Sequence, residues 1–155
     1  MSDKTLVLGL GNVLMGDEGV GVKSIEYMQD QSFPEHVRLL DGGTGGFHLL
    51  SLFQEYDHFI IIDATIGRQN PGEVNVLKPR FASDFPKSLT SHDIGLRDLM
   101  QSAELLADLP DIHLITVNIE EFRTVKIGMS KALDEKLPEV HKTVLKILEE
   151  LDYSG

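Results

Sequence analysis

Short apolar runs alternate along the chain with amphipathic segments, and the two patterns predict strands and helices in turn. A strand covered on both faces is apolar at nearly every position, whereas an edge strand alternates between apolar and polar residues. Apolar runs predict buried strands at residues 5–10 and 59–62, and further strands at residues 37–40 and 112–117. The alternation of residues 72–78 predicts an edge strand.

Between these runs, apolar residues recur at intervals of three and four, which indicates helices with one buried face. The predicted helices span residues 18–30, 47–56, 94–106 and 130–151. Ser130 is a suitable N-cap for the last helix. Pro138 should kink or restart that helix, because proline lacks the N–H that a helix interior requires.

The alternation of strands and helices predicts the α/β class. We expect a single three-layer domain over residues 1–155, with a twisted, mostly parallel sheet of about five strands between helices. Ligands of such sheets bind beyond the carboxyl ends of the strands. Asn12, Asp41 and Asp63 are expected at those ends, so this edge of the sheet is the first place to look for a site.

The amino-acid composition excludes or disfavours several classes of partner and site. The chain has 14 Lys and Arg against 25 Asp and Glu, a net charge of −11. This charge disfavours a nucleic-acid partner and an anionic membrane surface, and it should keep a monomer soluble. The absence of cysteine excludes disulfides, thiol nucleophiles and Cys-type zinc sites. With no secretory leader and no apolar run of about 18 residues, we expect a cytoplasmic protein.

The glycines after the first predicted strand suggest one possible function, nucleotide binding. Gly9-x-Gly11 resembles the start of a dinucleotide-binding loop, and Asp41 ends the second strand, where a Rossmann fold has its ribose-binding acid. The third glycine of that motif is missing, because position 14 is leucine. The negative charge of Glu18 at the helix start would also repel phosphate. A nucleotide-binding oxidoreductase is therefore an alternative, not the main hypothesis.

Acidic residues and one histidine on separate loops suggest a metal site instead. Asp17 is expected to cap the helix that follows it, while a helix N-terminus would keep Glu18 ionised. Two carboxylates, Glu18 and Asp63, with the imidazole of His92 would bind a divalent ion and leave positions open for water or substrate. The simpler interpretations are Asx turns for Asp41 and Asp63 and a surface position for His92.

Four motifs together resemble one family. Residues 9–21, GLGNVLMGDEGVG, resemble the G-x-G-N-x-L-x-x-D-E-G-x-G signature of hydrogenase maturation proteases. DGGT at 41–44, IIDA at 61–64 and TSHDIGL at 90–96 resemble further motifs of that family in the same order. These endopeptidases process the large subunit of nickel–iron hydrogenases.

The resemblance implies an activity and a partner. The chain would remove a C-terminal extension from the nickel-loaded precursor of a hydrogenase large subunit. The family's three metal-contacting positions fall on Glu18, Asp63 and His92, and Asp41 is a supporting candidate. The resemblance also implies a divalent metal, nickel above all, which the substrate would supply. The implied fold agrees with the one predicted from the apolar pattern.

Two mechanisms are compatible with these residues. Asp63, Glu18 and Asp41 are the catalytic candidates, with Asp41 or Asp63 as the general base that activates water. Alternatively, a resident metal would polarise the scissile carbonyl and acidify a bound water. The enzyme would accordingly be a metal-dependent or aspartic-type endopeptidase. A nickel-sensing chaperone that binds the precursor without cutting it is a further alternative.

Overall fold

In the computed structural model, which describes residues 4–12, 14, 16–43, 48–66, 70–86, 89, 96–119 and 129–154, five strands form one sheet. They are β1 (Thr5–Leu10), β2 (Val37–Gly43), β3 (His58–Ile66), β4 (Val74–Leu77) and β5 (Asp111–Ile119). Their order across the sheet is β2-β1-β3-β5-β4. All neighbouring strands are parallel except β4, which is antiparallel to β5. The predicted fold class and the edge position of β4 are confirmed.

Helices cover both faces of this sheet. The described helices are α1 (Val20–Met28), α2 (His48–Leu52), α3 (Leu96–Glu104), α4 (Lys131–Asp134) and α5 (Leu137–Ser154). Two short 3₁₀ turns, Gly16–Gly19 and Ala82–Asp84, accompany them, and we name the first the signature turn. No helix among the described residues combines the length and apolar composition needed to cross a membrane.

Successive residues of the central strands supply two separate cores, because side chains alternate between the faces of a strand. One core packs against α1 and α5, and the other packs against α2 and α3. Sheet residues of the first core include Val7, Ile60 and Ile115, and those of the second include Leu8, Ile61 and Leu114. The two cores and the sheet between them give the three layers expected from the sequence.

Two glycines let α1 lie directly on the sheet. A Cβ on Gly9 would overlap the carbonyl oxygen of Gly21, and a Cβ on Gly21 would overlap the carbonyl oxygens of Leu10 and Ile62. Only glycine tolerates backbone approach this close. The start of α1 is thereby held against β1 and β3, next to the residue that precedes Asp63.

The observed elements correct three predicted boundaries. The helix predicted over 18–30 begins as the 3₁₀ signature turn and becomes α-helical only at Val20. The helix predicted over 47–56 ends at Leu52, because the next residues form tight turns in which Glu55 N–H donates to Leu52 O at 2.9 Å. The strand predicted over 59–62 continues to Ile66, since it stays paired with β5 along its full length.

The predicted roles of Ser130 and Pro138 in the C-terminal helices are confirmed. Ser130 is the N-cap of α4, and its Oγ accepts a hydrogen bond from Leu133 N–H at 3.4 Å. The helical segment then restarts, with Pro138 in the first turn of α5. A proline fits there because the first residues of a helix have no intrahelical acceptor for their N–H groups.

Candidate active site

The loop after β1 folds back on itself beside the end of β2. Gly11 has φ +149°, and a Cβ on it would overlap the carbonyl oxygen of Glu18, so the backbone of the signature turn lies against it. Gly11 N–H donates to Gly43 O at 2.7 Å. These contacts bring the ends of β1 and β2 and the signature turn together at one edge of the sheet.

Glu18 and Asp63 are both buried, on elements that contact each other. Glu18 is 7% exposed in the signature turn, which packs against β3. Asp63 is 0% exposed within β3, where its Oδ1 accepts a hydrogen bond from Ala64 N–H at 2.8 Å. Burying a carboxylate is costly unless a partner or a cation compensates its charge. Glu18 and Asp63 thus place two buried carboxylates on contacting elements, and carboxylate oxygens are donors that a cation can use.

The position of Asp63 differs from the prediction. It was expected at the end of a strand, but β3 extends three residues beyond it to Ile66, so the alternative of an Asx turn leaving the sheet is wrong as well. Asp63 is opposite Thr116 of β5 in the parallel register. Pairing within the sheet holds the backbone of Asp63, and with it the carboxylate, more firmly than a loop would.

Asp41 forms the Asx turn that the sequence suggested. Its side chain is at an exposed position of β2, and Oδ1 accepts a hydrogen bond from Gly43 N–H at 2.8 Å. Gly43 has φ +55°, a conformation that favours glycine. Asp41 is opposite Gly9 in the register with β1, so it belongs to the same edge of the sheet as the signature turn.

His92 and its predicted motif lie outside the described residues. Among the residues that are described, no group of three or more His, Asp or Glu side chains could hold a metal ion. Of the three predicted ligands, the structure describes two, Glu18 and Asp63. The three-ligand set with His92 stays a prediction.

Asp17 has a role that the sequence did not indicate. It does not cap α1, whose N-cap is Gly19 and has no side-chain capping bond. Instead Oδ1 accepts Ser130 N–H at 2.7 Å and Oδ2 accepts Ser130 Oγ–H at 2.9 Å. The 3₁₀ winding separates Asp17 from the first residue of α1, and its carboxylate reaches the N-terminus of α4 instead. Ser130 was recognisable as an N-cap, but nothing local pointed to Asp17.

A second polar cluster lies at the opposite end of the sheet, where β3 and β5 begin. His58 Nδ1 is 2.8 Å from Asp111 Oδ2, and Lys78 Nζ is 3.4 Å from Asp111 Oδ1. Burial would raise the pKa of Asp111, but the His58 hydrogen bond and the Lys78 charge hold it below its ordinary value. Burial lowers the pKa of His113, whose Nδ1 is 3.9 Å from Asp111 Oδ2.

A cleft of about 720 Å³ lies beside this second cluster, and Lys78, Arg80, Glu104 and Asp111 are among its lining residues. It is at the amino end of β5, whereas the signature turn packs at the carboxyl end of the sheet. We assign the candidate active site to the carboxyl edge, where the buried acids are, and not to this cleft.

Comparisons with known proteins show which family this chain resembles. A family model described as hydrogenase maturation protease matches residues 22–147. The hydrogenase 2 maturation protease of Escherichia coli is 31% identical over 150 residues, covering 95% of this chain and 92% of that protein. The structure of the hydrogenase maturating endopeptidase HybD from E. coli matches with a TM-score of 0.83, at 31% identity, covering 95% of this chain and 93% of that one.

The likeness extends to an archaeal structure. A hydrogenase 2 maturation peptidase from a Thaumarchaeota archaeon matches with a TM-score of 0.73 at 25% identity, covering 94% of this chain and 98% of that one. The relative and the structures match nearly the whole chain, and the family model matches residues 22–147. The carboxyl edge of the sheet carries the D-E and D-G-G residues that the sequence singled out. This chain belongs to the hydrogenase maturation protease family.

Proposed function

We propose that this protein is an endopeptidase that removes a C-terminal extension from the nickel-loaded large-subunit precursor of a nickel–iron hydrogenase. The observation that carries the proposal is the contact between the signature turn and β3, which brings the buried Glu18 next to the strand that holds the buried Asp63. Family membership supplies the reaction class. The pair of carboxylates offers donors for a cation that the substrate carries.

The donor set fits a divalent ion of borderline softness. Carboxylates of Glu18 and Asp63 with the imidazole of His92 would hold such an ion while leaving coordination positions for groups of the substrate. We take the ion to be nickel already held by the precursor, so that it acts as part of the substrate and positions the neighbouring peptide bond. An ion resident on the same residues would instead polarise the scissile carbonyl.

Hydrolysis needs a base for the attacking water. Water adds to the carbonyl carbon, the C–N bond breaks, and the proton passes to the departing amine. Asp41 and Asp63 are the candidate bases. Among the described residues only Oδ1 of Asp41 has a partner, so Oδ2 can accept a proton from water. Asp63 is wholly buried and better suited to hold a cation. We therefore favour Asp41 as the base.

Cleavage of the nickel-loaded precursor, followed by intact mass spectrometry, tests this proposal. Glu18→Gln and Asp63→Asn keep the side-chain volume but remove the charge, so each should abolish the loss of the extension. Glu26→Gln is the matched control, because Glu26 is an exposed acid paired only with Lys23 in the described structure. Cleavage at the wild-type rate by Glu18→Gln and Asp63→Asn would refute the site.

The same assay separates the alternatives. A nickel-sensing chaperone would bind the precursor and leave its mass unchanged. A nucleotide-binding oxidoreductase would bind a dinucleotide in a direct assay, which we do not expect from a family of proteases. Cytoplasmic location and a monomeric state remain predictions from the sequence.

A further inference from the structure

The outer edge of β2 is open in the part of the chain that the structure describes, where β2 pairs with β1 alone. An open edge presents backbone donors and acceptors to any extended chain that can pair with it. Proteins usually protect such edges with charged side chains, lysine above all, with proline or with a very short strand. The other edge strand, β4, has four residues and is followed by Lys78 and Pro79. The strand β2 has seven residues, contains neither lysine nor proline, and has Arg38 and Asp41 as its charged residues.

The register shows which backbone groups face outward. Thr5 is opposite Val37, and its N–H donates to His36 O at 2.9 Å. In a parallel pair, the N–H and C=O of a bonding residue on one strand pair with the two residues that flank its partner on the other strand. Every second residue of β2 therefore directs its backbone groups toward β1. The residues between them, Leu39 and Asp41, direct their N–H and C=O groups toward the open edge.

This edge leads to the candidate active site. Gly43, at the end of β2, accepts the N–H of Gly11 at 2.7 Å, and Gly11 lies against the backbone of Glu18. Apart from Gly43 and its two chain neighbours, no described residue has an atom within 4 Å of the place where a Cβ on Gly43 would be. A chain paired along β2 would therefore pass through the free space beside Gly43 and reach the signature turn.

We propose that the outer edge of β2 binds the extended C-terminal segment of the precursor as an added strand, paired to the backbone of Leu39 and Asp41. This inference rests on the proposed function, because its occupant is the substrate of that reaction. Strand addition takes its affinity from main-chain hydrogen bonds. Pairing along β2 would hold the tail in extended form and deliver the scissile bond to the edge where Glu18, Asp41 and Asp63 lie.

A second copy of this chain is the competing occupant of the same edge. The net charge of −11 opposes such self-pairing, because two copies would bring like charges together. The continuity of the edge with the candidate active site favours the substrate.

A pair of variants at Leu39 isolates the main-chain contribution. Leu39→Pro and Leu39→Ala both lose the packing of the leucine side chain against the first core, but only proline removes the outward N–H. We expect Leu39→Pro to raise the KM for the nickel-loaded precursor about tenfold above that of Leu39→Ala, with a similar kcat. Equal KM values in two folded variants would overturn the inference.

Residue-resolved hydrogen–deuterium exchange on the wild-type protein covers the case in which Leu39→Pro does not fold. With saturating nickel-loaded precursor, the amides of Leu39 and Asp41 should exchange several-fold more slowly than without it. Unchanged exchange at both amides while cleavage proceeds would overturn this inference and leave the proposed function intact. Slower exchange that depends on protein concentration, without precursor, would assign the edge to a second copy and also overturn it. A wild-type protein that cuts no precursor would refute the proposed function and this inference with it.

Discussion

The carboxylate of Asp17 accepts two hydrogen bonds from Ser130, one from its N–H at 2.7 Å and one from its Oγ–H at 2.9 Å. The two residues are 113 positions apart in the chain. Asp17 precedes the buried Glu18, and Ser130 is the N-cap of α4. The pair therefore ties the turn that carries a candidate active-site acid to the C-terminal helices.

Removing either member of this pair should destabilise the fold. Asp17→Asn loses the charge that strengthens both bonds, and Ser130→Ala loses one bond and the N-cap. We expect each change to lower the free energy of unfolding by about 1–2 kcal/mol. The double variant should lose less than the sum of the two, because both changes remove the same contact. Additive losses in urea denaturation would show that the two residues act independently.

Gly21 should be intolerant of any side chain. A Cβ there would overlap backbone oxygens of Leu10 and Ile62, which cannot move aside as a flexible side chain can. We expect Gly21→Ala to lower the free energy of unfolding by about 3 kcal/mol. Gly43→Ala is the matched control, since φ is +55° but the surrounding space is open, and it should lose only about 1 kcal/mol. Equal losses in thermal unfolding would contradict the close packing of α1.

Stability should fall on acidification through His113. Burial lowers its pKa in the folded protein below the ordinary 6.5, so the unfolded chain binds a proton that the folded protein resists. Above pH 6.5, His113 is neutral in both states and the free energy of unfolding has its full value. As the pH falls below 6.5, protonation of the unfolded chain progressively lowers that free energy. The wild type should therefore lose more stability between pH 7.5 and pH 5 than His113→Gln does, as measured by urea denaturation. Equal losses would exclude this role of His113.

Asp111 should contribute a second loss at lower pH. Its folded-state pKa lies below the ordinary 3.8, so the unfolded chain becomes protonated first and the contribution fades as the pH falls from about 3.8 through the folded value. Asp111→Asn should remove this component of acid unfolding. A variant whose unfolding free energy follows the wild-type pH dependence below pH 4 would contradict it.

His92→Ala should abolish cleavage at any pH while the variant stays folded. His92 is one of the three predicted metal ligands, so removing its imidazole should leave the ion site incomplete. Precursor cleavage and thermal unfolding, measured on the same preparation, separate the two effects. A fully active variant would remove His92 from the site, and an unfolded one would make it structural.

Local sequence signals predicted most of the fold. The errors occur where contacts between residues distant in the chain determine a hydrogen-bond partner or the length of a strand. The strands at 5–10 and 112–117 are marked by their own apolar runs, and Ser130 and Pro138 mark helix boundaries by their own chemistry. Nothing near Asp17 reveals a partner 113 residues away. The extension of β3 beyond Asp63 depends on pairing with β5, which a one-dimensional pattern does not contain.

The acids of the candidate site were chosen from the sequence for a different reason, and their role stays a prediction. Glu18 and Asp63 follow glycine-rich or apolar segments whose form is set locally, and parallel strands bring their carboxyl ends to one edge. Their burial was not predictable, because it depends on how closely Gly9 and Gly21 let α1 approach the sheet. The sequence therefore indicated which residues to examine, and the packing showed that Glu18 and Asp63 are buried.

The most direct test of the central claim is the mass of the large-subunit precursor after incubation with this protein, measured in parallel on nickel-loaded and nickel-free precursor. If Glu18 and Asp63 recognise nickel carried by the substrate, the nickel-loaded precursor loses its C-terminal extension and the nickel-free precursor keeps its full mass. Equal cleavage of both precursors would contradict recognition through nickel, and cleavage of neither would contradict the protease assignment itself.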